Sequence, residues 1–400
     1  MKCKITSKTI EPFMNFGEMP IANGFLNKDD FKNEFFYKME VGFSEDMSLL
    51  QLNEFPKPEK MFNQNYPFFT GSSSFMVNHF KEYAEWVKKE YLNNGSRLIE
   101  IGSNDGTFLS NFQNTDIEFV GFEPSSNVAE KANKKNIRTI NNFFNSNNIS
   151  NLSKFIKKTK VICAANVICH IPNLNELIST IDKLLIADGV FIFEEPYLGS
   201  MFEKTSYDQI YDEHIYMFSG HSIKKIFNLY NFDLIDLKPQ ITHGGSMRYI
   251  IARKGKYEIK SSVNQILNEE KKLELDNLHS CLKFKKQCEL SREKTINQLN
   301  DFKKEGKSIC GYAATSKSTT ILNYCNIGPN IIDYICDTTP EKIGKFSPGM
   351  HIPIKSSDYF RKNLPDIAYL FAWNHKKEIF LKEKSFTEKK NGKWFSHVSL

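Results

Sequence analysis

The chain has 400 residues, long enough for two or three domains that each bury a core. Its 53 Lys+Arg against 47 Asp+Glu leave +6 with no basic block, which reads as solvated surface and not as a nucleic-acid footprint. No apolar window is long enough to span a membrane, the opening Met-Lys-Cys-Lys precedes no secretory run, and eight scattered cysteines suit reduced thiols, so a cytoplasmic protein without membrane or nucleic-acid partners is expected.

Residues 1–60 read as a small, irregular, β-rich module. Met19 to Leu26 is a turn, Phe36 to Phe43 alternates like a strand, and Met47 to Leu52 makes a second strand. In the following stretch Met76 to Leu92 carries Phe80, Tyr83 and Trp86 at helical spacing. Residues 96–200 alternate strand and helix, the pattern of a parallel sheet covered on both faces. Arg97 to Ile101, Ile117 to Phe122, Val161 to Asn166 and Gly189 to Pro196 are its strands; Phe232–Leu237 and Met247–Ala252 close it as an antiparallel hairpin turning at His243 to Ser246. Residues 258–305 are charged and helical, predicting one or two long helices that link domains, with His279 and Cys281 as packing residues. Strand–helix alternation resumes at 306–400: strands at Ser308–Tyr312, Ile331–Asp337 and Ile367–Ala372, a polar turn at 313–318 and a helix from Thr319 to Tyr324. The boundaries expected are therefore 1–60, 61–257, 258–305 and 306–400.

The chemistry concentrates where the first central strand ends. Glu100-Ile-Gly102-Ser-Asn104-Asp105-Gly106 places a carboxylate and two glycines at a sharp turn, with a helix expected from Thr107. The spacing differs from the GxGxxG of dinucleotide sites and lacks the Gly-Lys-Ser/Thr of phosphate loops. The next strand ends in Glu123, 23 residues on, where a doubly wound sheet sets an acid against ribose hydroxyls.

Together these two motifs resemble a class I S-adenosylmethionine (SAM) methyltransferase. The whole chain resembles the sugar C-methyltransferases that act on nucleotide-linked 4-keto-deoxysugars. The likeness rests on Pro20-Ile-Ala-Asn-Gly-Phe-Leu26, the Glu100–Gly106 turn, Ala165-Asn-Val-Ile-Cys-His170, Glu195-Pro-Tyr197 and, most specifically, Tyr207-Asp-Gln-Ile-Tyr-Asp-Glu-His214 with Phe218-Ser219. Gly311-Tyr312, Lys317, Leu322-Asn-Tyr324, Pro348-Gly349, Ile352-Pro353 and Ala372-Trp-Asn374 extend it to the C-terminal part. It implies an α/β fold: a Rossmann-like SAM domain, a β-rich N-terminal module and a second, smaller Rossmann-like domain. Such relatives carry an N-terminal zinc site of two CxxC pairs. Here Cys3 stands alone, with Thr6, Ser44 and Met47 at the other positions and no histidine before His79, so no metal is expected.

By the same resemblance Glu100, Gly102, Asn104, Asp105 and Gly106 surround the methionine end of SAM. Glu123 and Pro124 meet ribose and adenine, Asn142 and Phe143 cap the adenine, and Asn166 and Val167 border the methionine. Methylating carbon needs a base, a stabiliser for the enolate oxygen and in-line placement. His214 is the expected base, Glu213 and Tyr211 handle protons or orient substrate, His170 donates to the enolate, and Tyr66 closes over the site. Lys317 and Asn323 are expected at the nucleotide diphosphate, with Asn374 beside them. Trp373 stacks on a base or sits in the core, and His243 either touches substrate or only turns the chain. His221 and His351 are expected to be structural. The expected product feeds a surface polysaccharide or branched-sugar pathway. Methyl transfer to a sugar oxygen, and a non-catalytic relative that only binds sugar nucleotide, remain as alternatives.

Overall fold

The computed structural model of the chain describes residues 1–150 and 152–400. In chain order the first elements are β1 (Pro12–Pro20), β2 (Phe36–Ser44), β3 (Leu49–Leu52), α1 (Pro58–Met61) and α2 (Ser74–Tyr91). The central part contributes β4 (Arg97–Ile101), β5 (Glu118–Phe122), α3 (Ser126–Lys134), β6 (Thr139–Ile140), β7 (Thr159–Ala165), α4 (Leu174–Leu184) and β8 (Leu185–Pro196). It continues through α5 (Leu198–Lys204), β9 (Tyr216–Met217), α6 (Gly220–Asn228), β10 (Phe232–Gln240) and β11 (Ser246–Arg253). Two helices follow, α7 (Ser261–Lys272) and α8 (Leu278–Lys304). The last part holds β12 (Ile309–Tyr312), α9 (Ser316–Tyr324), β13 (Ile335–Asp337), β14 (Ile354–Ser356), β15 (Ile367–Leu370) and β16 (Lys393–Phe395).

Three sheets result. The first runs β1-β2-β3-β9 and is antiparallel throughout. β1 escapes sequence reading because register shifts at Pro12/Met14 and Asn15/Glu18, with Gly17 at φ +86°, break its alternation. The last strand, β9, begins two residues after His214 and pairs Leu50 with Met217. The N-terminal module is thus tied directly to the segment expected to carry the base. It is also not packed alone: Phe13, Met39 and Val41 share one core with Phe284 and Cys288 of α8 and with Ile309 and Leu322 of the C-terminal part.

The second sheet has seven strands in the order β10-β11-β8-β7-β4-β5-β6, parallel from β8 to β6, with β11 antiparallel to β8 and to β10. β4 and β7 are neighbours although β5 and β6 intervene in sequence, so the strand order reverses there. That point is where open α/β sheets bind ligands at the carboxyl edge. α2 forms as the spacing predicts: Ser73 caps it by accepting from the Met76 amide, and Phe80, Tyr83, Ala84 and Val87 bury one face, each large side chain contributing roughly 1.5–3 kcal/mol. The helix expected from Thr107 is instead one tight turn, Leu109–Phe112. Ser110 and Asn111 donate their side-chain hydrogens to the Thr107 and Phe108 carbonyls, a local alternative to the helical ladder.

The third sheet, β14-β13-β12-β15-β16, is parallel, and its order reverses between β12 and β15. Only Ile335–Asp337 of the expected strand from Ile331 is extended. Between the two Rossmann-like layers α7 packs on α6 and β10, and α8 lies across β1 and β2. Cys281 is buried there as expected, whereas His279 is exposed beside Glu274. None of the helices is long and apolar enough to cross a membrane among the described residues.

Candidate active site

The carboxyl edges of the second and third sheets face one cavity of about 1320 Å³. Glu100, Glu123 and Asn166 reach it from the first of these sheets, Lys317, Asp337 and Asn374 from the other, and Tyr66, Tyr211, Glu213 and His214 line it between them.

On the SAM-domain side the turn after β4 depends on glycine. Gly102 sits at φ +67°, and a Cβ there would come 2.2 Å from Val167. Glu100 is buried at the wall with Oε2 lacking any partner among the described residues, and burial, then Glu123 and Asp105, push its carboxyl well above the usual range. An acid without a partner beside a cavity fits an ammonium group. Glu123 accepts the amides of Asn104 at 3.1 Å and Ser125 at 2.8 Å; burial still holds it above its ordinary value. It also lines the cavity, the placement that ribose hydroxyls require. Pro124, Phe143, Asn166 and Val167 also line the wall, so these residues fit SAM.

Three expected SAM residues do other work. The Asp105 carboxylate is filled by Thr107 at 2.6 Å, Gly71 N at 3.3 Å and Lys135 at 3.3 Å, and it lines no wall. Gly106 permits packing: a Cβ would meet Ile137 at 2.6 Å. Asn142 is exposed and bonds Asn148. Asn104 lines the cavity, but its side chain laces the 66–72 segment down, accepting from Thr70 N at 2.8 Å and donating to Phe68 O at 3.2 Å.

On the opposite wall the Tyr207–His214 segment presents its polar groups in sequence. His214 Nδ1 lies 2.7 Å from the Gln209 carbonyl, which can only accept, so Nδ1 carries the hydrogen. Nε2 is then the acceptor, and the Tyr211 hydroxyl donates to it at 2.7 Å. Burial, then the nearby His170, keep His214 neutral by pushing its pKa well down. His170 stacks on His214 with centroids 5.4 Å apart, and burial lowers it to about 3. Glu213 accepts from Asn23 at 2.6 Å and from the Tyr66 hydroxyl at 3.4 Å, and burial pushes it up to about 7. Asn23 sits in the turn before the module's second strand, so the N-terminal module contributes here too. The neighbouring Asp212 accepts the Ala22 amide at 3.2 Å and is raised by burial and by Glu213.

Lys317 is the second residue of α9, not part of a polar turn. Its ammonium is buried over the Trp373 ring at 4.7 Å, bonds Asn374 Oδ1 at 3.4 Å, and has no carboxylate within ion-pair reach among the described residues. Lys342, missed in the sequence because its segment carries no motif, adds a second, half-buried ammonium that donates to the Ala314 carbonyl at 2.8 Å and pairs with Asp337 at 3.9 Å. His243 lines the cavity. Asn323 does not: its amide donates to Thr319 O at 2.8 Å and Pro348 O at 3.2 Å. Trp373 belongs to the core, its indole N–H donating to Asp208 at 2.7 Å. Asn323 is thus a correction to the expected substrate contacts, and Trp373 takes the core alternative of its two expected places. His221 and His351 pair with Glu270 and Glu34 at 2.7 Å away from this cavity.

A seven-stranded sheet with its switch point on this wall defines a class I methyltransferase, and SAM is its cofactor. Family models tile the chain: one described as a methyltransferase domain matches residues 77–237, and one described as a C-methyltransferase C-terminal domain matches 241–398. The chain is 28% identical over 378 residues to the C-methyltransferase NovU of Streptomyces niveus, spanning 94% of this chain and 90% of that one. Among solved structures, the PH0226 protein of Pyrococcus horikoshii matches 50% of this chain and all of its own at 16% identity, TM-score 0.38. Magnesium protoporphyrin IX methyltransferase from Synechocystis, with bound SAH, matches 44% and 83% at 15% identity, TM-score 0.35. The methyltransferase and C-methyltransferase models and the NovU relative together support a SAM-dependent C-methyltransferase.

A third family model, for a zinc binding domain, matches residues 3–62. The residues present do not fit zinc. Cys3 is the single thiol there; burial pushes it up, but hydrogen bonds led by the Ser44 hydroxyl outweigh that and hold it below its ordinary value. A hydroxyl thus occupies the place of a second thiolate.

Proposed function

We propose that the substrate is a nucleotide-linked keto-deoxysugar, methylated at the carbon beside its ketone, for a surface polysaccharide or branched-sugar pathway. The observation that carries the reading is the pairing, in one cavity, of a neutral Tyr211–His214 relay with a buried ammonium, Lys317, that has no carboxylate partner. A buried cation calls for an anion, and a diphosphate supplies one. Proton transfer from carbon calls for a base held neutral until it acts.

The bound cofactor supplies an electrophilic methyl group. The chain's residues do the rest. Glu100 and Glu123 fix the donor, and the 66–72 segment, held by Asn104, covers it. Lys317 and Lys342 hold the diphosphate end. The Tyr211 oxygen takes the proton from carbon while its own hydrogen passes to His214 Nε2, and the Gln209 carbonyl steadies the imidazolium. Glu213, ionised above about pH 7, provides the countercharge. His170, whose Nε2 has no partner, faces the ketone oxygen as a donor. The test is exchange in heavy water with a nucleotide-linked keto sugar and no methyl donor. Deuterium should enter the carbon beside the ketone with the intact chain and not with Tyr211→Phe. Equal exchange in both would refute the relay.

A further inference from the structure

Just beneath the floor of the cavity lies a group the proton relay does not use, the thiol of Cys169. It is buried on the short turn after β7, and with His170 and His214 it forms the one cluster of three such side chains with metal-binding spacing among the described residues. One ligand atom from each lies within 4.8 Å of the other two. Around a tetrahedral zinc with the usual bond lengths, ligand atoms sit roughly 3.3–3.6 Å apart, so side-chain shifts on the order of an ångström would close the site.

Three features beyond spacing suit a cation. His214 already donates its Nδ1 hydrogen to the Gln209 carbonyl at 2.7 Å, the outer contact that fixes a metal-binding histidine and leaves the Nε2 lone pair, which now accepts from Tyr211, as the coordinating atom. His170 Nε2 is buried without a partner. Behind the thiol stands Glu195, whose Oε1 accepts the amides of Val167, Ile168 and Cys169 while its Oε2 stays unpartnered. A thiolate and a carboxylate together neutralise a dication, which would otherwise be costly to bury.

We propose that Cys169, His170 and His214 form a binding site for a soft divalent cation of the zinc class, with its fourth position open to the cavity and filled by water. Binding releases the Cys169 proton to solvent and breaks the Tyr211–His214 hydrogen bond; no electron is transferred. Because His214 Nε2 becomes a ligand, it can no longer accept a proton, so the bound cation inhibits turnover. That last consequence rests on the relay described above; the site itself does not.

Cobalt(II) added to the full chain reads the site directly, since thiolate ligation gives a near-ultraviolet charge-transfer band. One equivalent should produce the band, Cys169→Ser should abolish it, and His170→Asn should weaken cobalt affinity at least tenfold, with SAM binding retained in both as the sign of a folded chain. Cys3→Ser should leave the band intact. No band, or one that survives Cys169→Ser and disappears with Cys3→Ser, would overturn the proposal. Zinc should inhibit turnover reversibly, relieved by a chelator. A Cys169-dependent band without inhibition would leave the site standing and refute His214 as the proton acceptor instead.

Discussion

At His214 the hydrogen on Nδ1 decides the chemistry, because it leaves Nε2 as an acceptor facing a phenol at 2.7 Å. Tyr211→Phe should therefore lower kcat by about 10²–10⁴, the usual span for a lost acid–base group, with SAM affinity unchanged in a binding titration. Under the proposed relay Glu213, raised to about 7, should make turnover climb through neutral pH, and Glu213→Gln should flatten that limb of the pH–rate profile. The same residue shapes stability. Its folded value exceeds the unfolded value near 4.5, so its favourable contribution is complete below about 4.5 and is lost as pH rises through about 7. Glu213→Gln should thus narrow the gap between Tm at pH 5 and at pH 8. Tyr211, Glu213 and His214 were legible because they sit in one short motif of titratable side chains. Asp208 was not, because its role comes from Trp373 and His397 in the C-terminal part, and Lys342 was not, because no motif surrounds it.

Among the elements, the turn after β4 shows how far local pattern reaches. Its acid, its first glycine and the strand before it could be read from spacing alone. The tight turn in place of a helix could not, since it is decided by Ser110 and Asn111 bonding the backbone locally. Nor could the use of Asn104 and Asp105 to hold the 68–71 segment, a contact across more than thirty positions. Gly102→Ala should clash with Val167 and strain a φ of +67°, weakening SAM binding by tenfold or more in a calorimetric titration. Asn104→Ala should leave the fold's Tm within a few degrees but raise the SAM Kd several-fold, as the covering segment is freed. Its protection from proteolysis should fall in parallel.

Across the whole molecule, contacts between distant parts of the chain converge on the segment that carries His214. Asp208, one residue before Gln209, receives the Trp373 indole at 2.7 Å and lies 3.1 Å from His397 in the C-terminal tail. The far end of the chain therefore supports the carbonyl that sets the His214 tautomer. Trp373→Phe should reduce kcat more than it alters SAM affinity, and a loss confined to SAM affinity would contradict that support. Sequence alone suggested separate modules; the shared core of β1, β2, α8 and α9 joins them, because the apolar faces of a small sheet and a long helix need a common partner.

The most direct test is to supply carbon-13-methyl SAM and a panel of nucleoside diphosphate 4-keto-deoxysugars to the purified chain and locate the label by NMR. A new carbon–carbon bond at the position beside the ketone, absent with Tyr211→Phe, is the result expected. Label on a sugar oxygen, or no transfer to any member of the panel while SAM binds normally, would contradict the account.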